Sequence, residues 1–202
     1  MKVVYIGHKK RLKNKKPTII SSDCVGGIIY NNLGLEFKSP TINLHFSKDD
    51  FFEFVCDLKN YLSCELLEVI DSGKPYPVGK LTNGNKTILV NFTHYNSFNE
   101  AKEKWNNRKK RIDFSNIYII QILPKASAED INIFDSLPYE NKMLITANNP
   151  TGSKNVVLHD IFLKHDYHSG EILEYKTKFS PKRFIDDVDY VSFLNSNYRI
   201  SQ

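Results

Sequence analysis

The stretch Ser21-Ser22-Asp23-Cys24-Val25-Gly26-Gly27 places two hydroxyls, a carboxylate and a thiol just ahead of a glycine pair. Cys24 can act as a nucleophile where a helix N-terminus favours its thiolate. Ser21 or Ser22 can take that part if a base lies near. Gly26 and Gly27 let the backbone approach a ligand closely, and the N–H groups there could hold an oxyanion or a phosphate. His94, in "NFTHYN", is the candidate base, because imidazole titrates near neutrality. Asp23 could orient that imidazole or move a proton itself. The same residues also fit a bland account: a turn after a strand, a packed thiol and a hydrogen-bonded structural histidine.

A second set lies in "KEKWNNRKKR", residues 102–111. On a helix, Trp105 points inward and the basic residues spread over the exposed arc. Arg108 and Arg111, three apart, share one side and could clamp a phosphate or carboxylate. The plainer account is a solvated helix face. Tyr76, Tyr95 and Tyr139 are aromatics that could stack on sugar faces.

Other chemistries lack their signatures. The chain has no P-loop and no G-x-G-x-x-G, so no cofactor is expected. "SSDCVGG" lacks the leading glycine of a nucleophile elbow. His159, His165 and His168, with Asp160 and Asp166, match no standard zinc spacing, and the expectation is no metal. The three cysteines, Cys24, Cys56 and Cys64, form no C-x-x-C pair and no disulfide framework.

The elements that must position these residues are legible as an alternation. Residues 18–21, 66–70, 87–92, 117–123 and 143–146 read as strands. "TILVNF" and "IYIIQIL" are nearly continuous in apolar residues, which suits central strands covered on both faces. Ser47, Ser97 and Ser127 each precede an apolar helical pattern and can cap it. The helix after Ser47 carries Phe51, Phe54, Val55, Leu58 and Leu62 on one face. This alternation predicts an α/β fold with a mostly parallel or mixed central sheet. Ligands of such sheets bind beyond the carboxyl ends of the strands, which would gather the loops at Ser21–Gly27, Thr93–Asn96, Pro124-Lys125 and 148–150 on one rim. After Pro150 the pattern loosens. Residues 156–163 and 172–175 read as strands and 181–193 as a last helix, with a frayed tail after that.

With 202 residues, 41% of them apolar, the chain can bury a real core as one α/β domain. A basic leader (8–17) precedes that domain's first strand, and a C-terminal extension (151–202) completes it. The net charge is +5. The first 16 residues hold seven cations and no acid, which leaves the remainder at net −2. That leader is expected to be a solvated charge run, and no aromatic is interleaved between Lys9 and Lys16 to support nucleic-acid stacking. No nucleic-acid partner is expected. No apolar run is long enough for stable membrane insertion, and no signal peptide is evident, so the expected location is cytoplasmic.

Several stretches resemble a bacterial family of unknown function whose members are often labelled exopolysaccharide biosynthesis proteins. They are "TIISSDCVGGIIYNNLGLEFKSPTINLHF", "YPVGKL", "HYNSFNEAKEKWNNRKKRI" and "LPYENKMLIT". They run in the same order from Thr18 to Thr146, about two thirds of the chain. The resemblance implies a three-layer α/β/α fold and a link to surface-polysaccharide synthesis. Family members typically carry Asn-Asn-Cys-Trp-Gly or Asn-Asn-Cys-Trp-Ala where this chain has Ser22-Asp23-Cys24-Val25-Gly26. Cys24 is kept, while Asp23 and Val25 replace an amide and an indole. The matching segment Ser39-Pro40-Thr41-Ile42-Asn43 could place Thr41 and Asn43 on the same rim.

Together these features predict a transferase, acyl or glycosyl, in exopolysaccharide biosynthesis, with a carbohydrate or sugar-phosphate substrate. Cys24 or Ser22 would be the reacting group, His94 the base, Asp23 its partner, and the backbone N–H groups of Val25, Gly26 and Gly27 the oxyanion donors. Asn43, Tyr95, Arg108 and Arg111 would hold the substrate. The alternative is a non-catalytic carbohydrate- or sugar-phosphate-binding protein that uses the same rim. The sequence leaves the oligomeric state open.

Overall fold

The structure, a computed structural model, describes residues 5–163 and 168–196. Its centre is a parallel sheet of four strands, β1 (Thr18–Ser21), β5 (Ile117–Ile122), β6 (Asn141–Thr146) and β7 (Val156–Leu158), in the order β1-β5-β6-β7. The register places Thr18 beside Ile117, Tyr118 beside Asn141 and Leu144 beside Val156. "IYIIQI" is β5, an interior strand buried at every residue, as its continuous apolar pattern requires.

Alternate side chains of the sheet feed two cores. Ile20, Ile117, Ile119 and Leu144 join one, and Ile19, Tyr118, Ile120, Met143 and Ile145 join the other. The first face is covered by α3 (Lys48–Cys56), α4 (Leu58–Ser63), α5 (Phe98–Lys109) and α6 (Ala128–Ser136). The second is covered by α2 (Val25–Leu33) and α7 (Tyr190–Leu194). The architecture is three-layer α/β/α with parallel and antiparallel sheets.

All three serine caps form. Ser47, Ser97 and Ser127 accept from the backbone N–H of Asp50, Glu100 and Asp130 respectively. Ser127 and Asp130 complete a reciprocal capping box. The pattern after Ser47 breaks into two helices at Asp57, whose φ of −132° and ψ of 47° leave the helical region.

"TILVNF" is not a central parallel strand. It lies in β4 (Lys86–Asn91), which pairs antiparallel with β3 (Val78–Asn83) in a separate sheet, and β3 pairs with β2 (Leu67–Glu68). Ile88 and Val90 face the core while Leu89 is exposed, so one apolar residue in the run points to solvent. The two-residue loop Gly84-Asn85 makes the hairpin, with Gly84 at a φ of 59° that favours glycine.

The regular structure of the C-terminal region is chiefly 3-10 helix. Strand β7 stops at Leu158 and is followed by a 3-10 turn, Asp160–Leu163. Residues expected as a strand at 172–175 begin inside the 3-10 helix Ser169–Leu173. The expected last helix divides into the 3-10 helix Phe184–Asp187 and α7, separated by an extended Val188. His165 and Asp166, and residues 197–202 of the tail, lie outside the described residues.

The basic leader is docked on the C-terminal segment, with most of its cations left exposed. It contains α1 (Ile6–Arg11), flanked by buried Tyr5 and Leu12. Arg11 pairs with Asp189 at 2.7 Å, His8 meets the Tyr190 hydroxyl at 3.1 Å, and the Lys13 N–H donates to Asn195 at 2.7 Å. The two ends of the described chain are thereby fastened to one another. Among the described residues no helix is long and apolar enough to cross a membrane.

Candidate functional site

Strand β1 is an edge of the parallel sheet, yet all four of its residues are buried. An exposed edge leaves alternate N–H groups without a partner strand. Side chains take them here. The Ile19 N–H donates to the Tyr30 hydroxyl at 2.9 Å and the Ser21 N–H to Thr41 Oγ1 at 3.0 Å. The chain therefore runs from β1 through α2 and back along β1's free edge. Beyond Thr41 it ties the two sheets together. The Phe46 N–H donates to the Ser22 carbonyl at 2.8 Å, and His45 exchanges backbone bonds with Asn91 at 2.8 and 2.9 Å. The end of β4 thus meets the end of β1 although the two strands belong to different sheets.

This junction gathers much of the expected rim. Cys24 Sγ lies 3.8 Å from the Leu44 carbonyl and faces the Thr93 hydroxyl. Tyr95, two residues on, donates its hydroxyl proton to the Ile42 carbonyl at 3.0 Å and accepts from Arg108 Nη1 at 2.6 Å. The Arg108 guanidinium lies 5.2 Å from the centre of the Phe37 ring. Asn43 is exposed at a left-handed φ of 60°, a conformation that costs a non-glycine residue about 1–2 kcal/mol. Its Oδ1 stands 3.7 Å from where a side chain on Gly27 would begin.

The reactive groups are less exposed than their types suggest. Cys24 begins α2, where a thiolate is ordinarily favoured. Burial outweighs that, and with the Asp23 charge beside it pushes the thiol up to about 12, against smaller opposing bonds from Thr93 and Leu44. Asp23 is buried, and burial raises its carboxyl to about 7, offset in part by the Val25 N–H. Oδ1 accepts from that N–H at 2.9 Å, and Oδ2 is buried without a partner. His94 is exposed on the 93–97 loop and makes no hydrogen bond to another described residue.

Other expected site residues are built into the frame. Ser22 Oγ accepts from the Ile122 N–H at 3.3 Å, and Ser21 Oγ donates to the Asp23 carbonyl at 2.7 Å. The glycine pair faces this chain's own atoms: a Cβ on Gly26 would fall 2.7 Å from Ser21 Oγ, and one on Gly27 3.3 Å from Ile42. Arg111 points away from Arg108's partners, donating to the Phe37 carbonyl at 3.3 Å and pairing with Glu36 at 3.4 Å. The two arginines therefore bracket the 36–37 segment instead of forming one clamp. Thr93 and Phe37 join the site without having been singled out. Thr93 carried a signal, its place beside His94 at a strand end; Phe37 carried none.

Two cavities lie elsewhere. One of about 410 Å3 sits in the 68–78 loop, and one of about 280 Å3 lies between α1, α2 and the C-terminal segment. Neither is lined by Asp23, Cys24, His94 or Arg108. Among the described residues no group of three His, Cys, Asp or Glu side chains is placed to hold a metal ion.

A three-layer α/β/α protein with a polar junction beyond the first parallel strand is the class that fold and site define. Residues 2–195 match the model of a family described as a domain of unknown function, DUF1919, and the chain belongs to that family. It is also similar to an uncharacterized protein of Haemophilus influenzae, 34% identical over 188 residues, covering 93% of this chain and 88% of that protein.

Proposed function

We propose that the chain is a transferase in surface-polysaccharide biosynthesis, acting on a carbohydrate or sugar phosphate at the Asp23–Arg108 rim. The observation that carries this reading is Asp23. A buried carboxyl with one unpartnered oxygen and a pKa raised to about 7 is suited to take a proton from an acceptor hydroxyl near neutral pH. The hydroxyl oxygen would then attack the donor, and its proton would reach the buried Asp23 Oδ2 by way of an intervening water. The leaving group would depart with the bonding electron pair, towards Arg108, whose Nη1 is anchored on Tyr95. Asn43 and His94 supply exposed polar groups on the same junction. Cys24, a neutral thiol at this pH, is a neighbour of Asp23 in this reading and not the attacking group. The link to surface polysaccharide rests on the resemblance of residues 18–146 to exopolysaccharide biosynthesis proteins.

A second reading, a carbohydrate- or sugar-phosphate-binding protein without catalysis, is favoured by a different observation: among the described residues no hydrogen bond joins Cys24 or Ser22 to a base. Complementation separates the two. In a cell whose own copy is deleted and whose surface polysaccharide is thereby lost, wild type should restore it. Asp23→Asn should not, although the protein accumulates normally. Full restoration by Asp23→Asn, together with loss on Arg108→Gln, would favour the binding protein. Restoration by both variants would remove the rim from either role.

A further inference from the structure

The cavity of about 280 Å3 between α1, α2 and the C-terminal segment lies at the far end of α2 from Asp23. Its size is below that of pockets for drug-sized ligands and suits a single sugar ring. Two half-buried cations, Lys9 and Arg183, line it. Among the described residues neither takes part in an ion pair. Cations withdrawn from water without an anion are costly unless a partner arrives.

Lys9 is placed beside a helix end, and Arg183 is held by direct contacts. The Lys9 ammonium stands 2.9 Å from where a side chain on Gly34 would begin, over the C-terminal end of α2, where a positive charge is favoured. The Arg183 guanidinium stacks 4.1 Å from the centre of the Tyr175 ring, donates from Nη1 to the Leu173 carbonyl, and reaches the Tyr175 hydroxyl at 3.2 Å.

The remaining lining is neutral and polar, with one apolar wall. Tyr5 donates its hydroxyl proton to Asp186 at 3.0 Å, which leaves its oxygen free to accept. Asp186, an acid beside this lining, has its oxygens turned to Tyr5, Tyr190, Asn32 and the Arg183 N–H at 3.0, 3.2, 3.5 and 2.8 Å. Its oxygens are thereby occupied by donors of this chain, three of them from residues that line the cavity. The exposed Asn31 amide offers a donor and an acceptor at the mouth, and Ile28 supplies the apolar surface. Paired donors and acceptors beside an apolar wall fit vicinal hydroxyls on a ring, and the two cations fit an anionic substituent.

We propose that this cavity is a second ligand site, separate from the rim, for a monosaccharide carrying a phosphate or carboxylate. The proposal does not depend on the reading of Asp23.

Calorimetric titration of the full chain tests it, with glucose 1-phosphate, N-acetylglucosamine 1-phosphate and glucuronate as probes, and with glucose and inorganic phosphate as controls. At least one anionic sugar should bind more tightly than both controls. Lys9→Gln should weaken that binding roughly tenfold, the worth of one charge-assisted hydrogen bond. Asn31→Ala should weaken it less, and in Arg108→Gln, which removes the cation of the rim, a binding event that depends on Lys9 should remain, with thermal unfolding of the variants unaltered. Absence of binding by all three probes would overturn the proposal, as would binding no tighter than inorganic phosphate. Binding lost on Arg108→Gln but kept on Lys9→Gln would place the ligand at the rim and overturn the second site.

Discussion

Asp23 accepts the Val25 N–H through Oδ1 at 2.9 Å and keeps Oδ2 buried with no partner. One oxygen starts a helix and the other is stranded, so ionisation is opposed by burial with only one hydrogen bond to offset it. The carboxyl is accordingly raised to about 7 from an ordinary value of 3.8.

That shift has a definite sign in stability. The unfolded chain releases this proton near pH 4, whereas the folded chain keeps it to about pH 7. Between those values the native state binds more protons, so the Asp23 contribution to stability falls as pH rises and levels off above 7. The amide introduced by Asp23→Asn cannot titrate. From pH 4 to pH 8 the stability of wild type relative to Asp23→Asn should drop by about 3 to 4 kcal/mol. Urea midpoints of both proteins across that range measure it. A constant difference would mean that the carboxyl ionises at its ordinary value.

The three cysteines should separate on alkylation. Cys24, pushed up to about 12 from 9.0, holds roughly a thousandfold less thiolate near neutral pH than an ordinary cysteine. Cys56 is exposed, and although its thiol is also raised, chiefly by burial, it is open to reagent. Iodoacetamide followed by peptide mass mapping should find Cys56 modified well before Cys24. Preferential labelling of Cys24 would show a stabilised thiolate and restore it as a nucleophile.

Tyr30 closes the edge of β1 with a single hydroxyl. It accepts the Ile19 N–H at 2.9 Å and donates to the Pro17 carbonyl at 2.8 Å. Tyr30→Phe preserves the ring and strands both backbone groups in the core. The expected loss is about 2 to 3 kcal/mol, read as a lower urea midpoint at an unchanged slope. An effect under about 0.5 kcal/mol, the size of an ordinary surface substitution, would mean that water or another group already serves the edge.

How much of this was legible varies with how local the cause is. The serine caps act within one turn and "IYIIQI" declares two covered faces by composition alone, so both could be read directly. "TILVNF" misled because Leu89 is apolar and exposed, which disguises an alternating strand as a continuous one. Gly84 was the available hint of a hairpin. The docking of the leader was invisible, because Arg11 meets Asp189 across 178 residues with no periodic signature. The rim is a mixed case. Cys24 and the 93–95 loop were expected together as neighbouring ends of one parallel sheet. They meet instead because the 45–46 backbone bridges two sheets, a connection that no side-chain pattern encodes.

The glycine pair provides the sharpest test of that frame. Gly26 is packed on β1, where a methyl group would lie 2.7 Å from Ser21 Oγ and 3.3 Å from Ile19. Ser21 Oγ has little freedom to yield, since it donates to the Asp23 carbonyl at 2.7 Å and accepts the Gly26 N–H at 3.2 Å. Gly26→Ala should therefore destabilise the fold by about 1 to 3 kcal/mol through overpacking. Gly27 meets only Ile42 at 3.3 Å and the exposed Asn43 at 3.7 Å. A few tenths of an ångström of movement in that loop would admit a methyl group, and alanine is the better helix former by about 1 kcal/mol. Gly27→Ala should leave the unfolding midpoint close to that of wild type or above it. Equal destabilisation by both substitutions would mean that α2 is held against β1 and the 41–46 segment with no difference in slack.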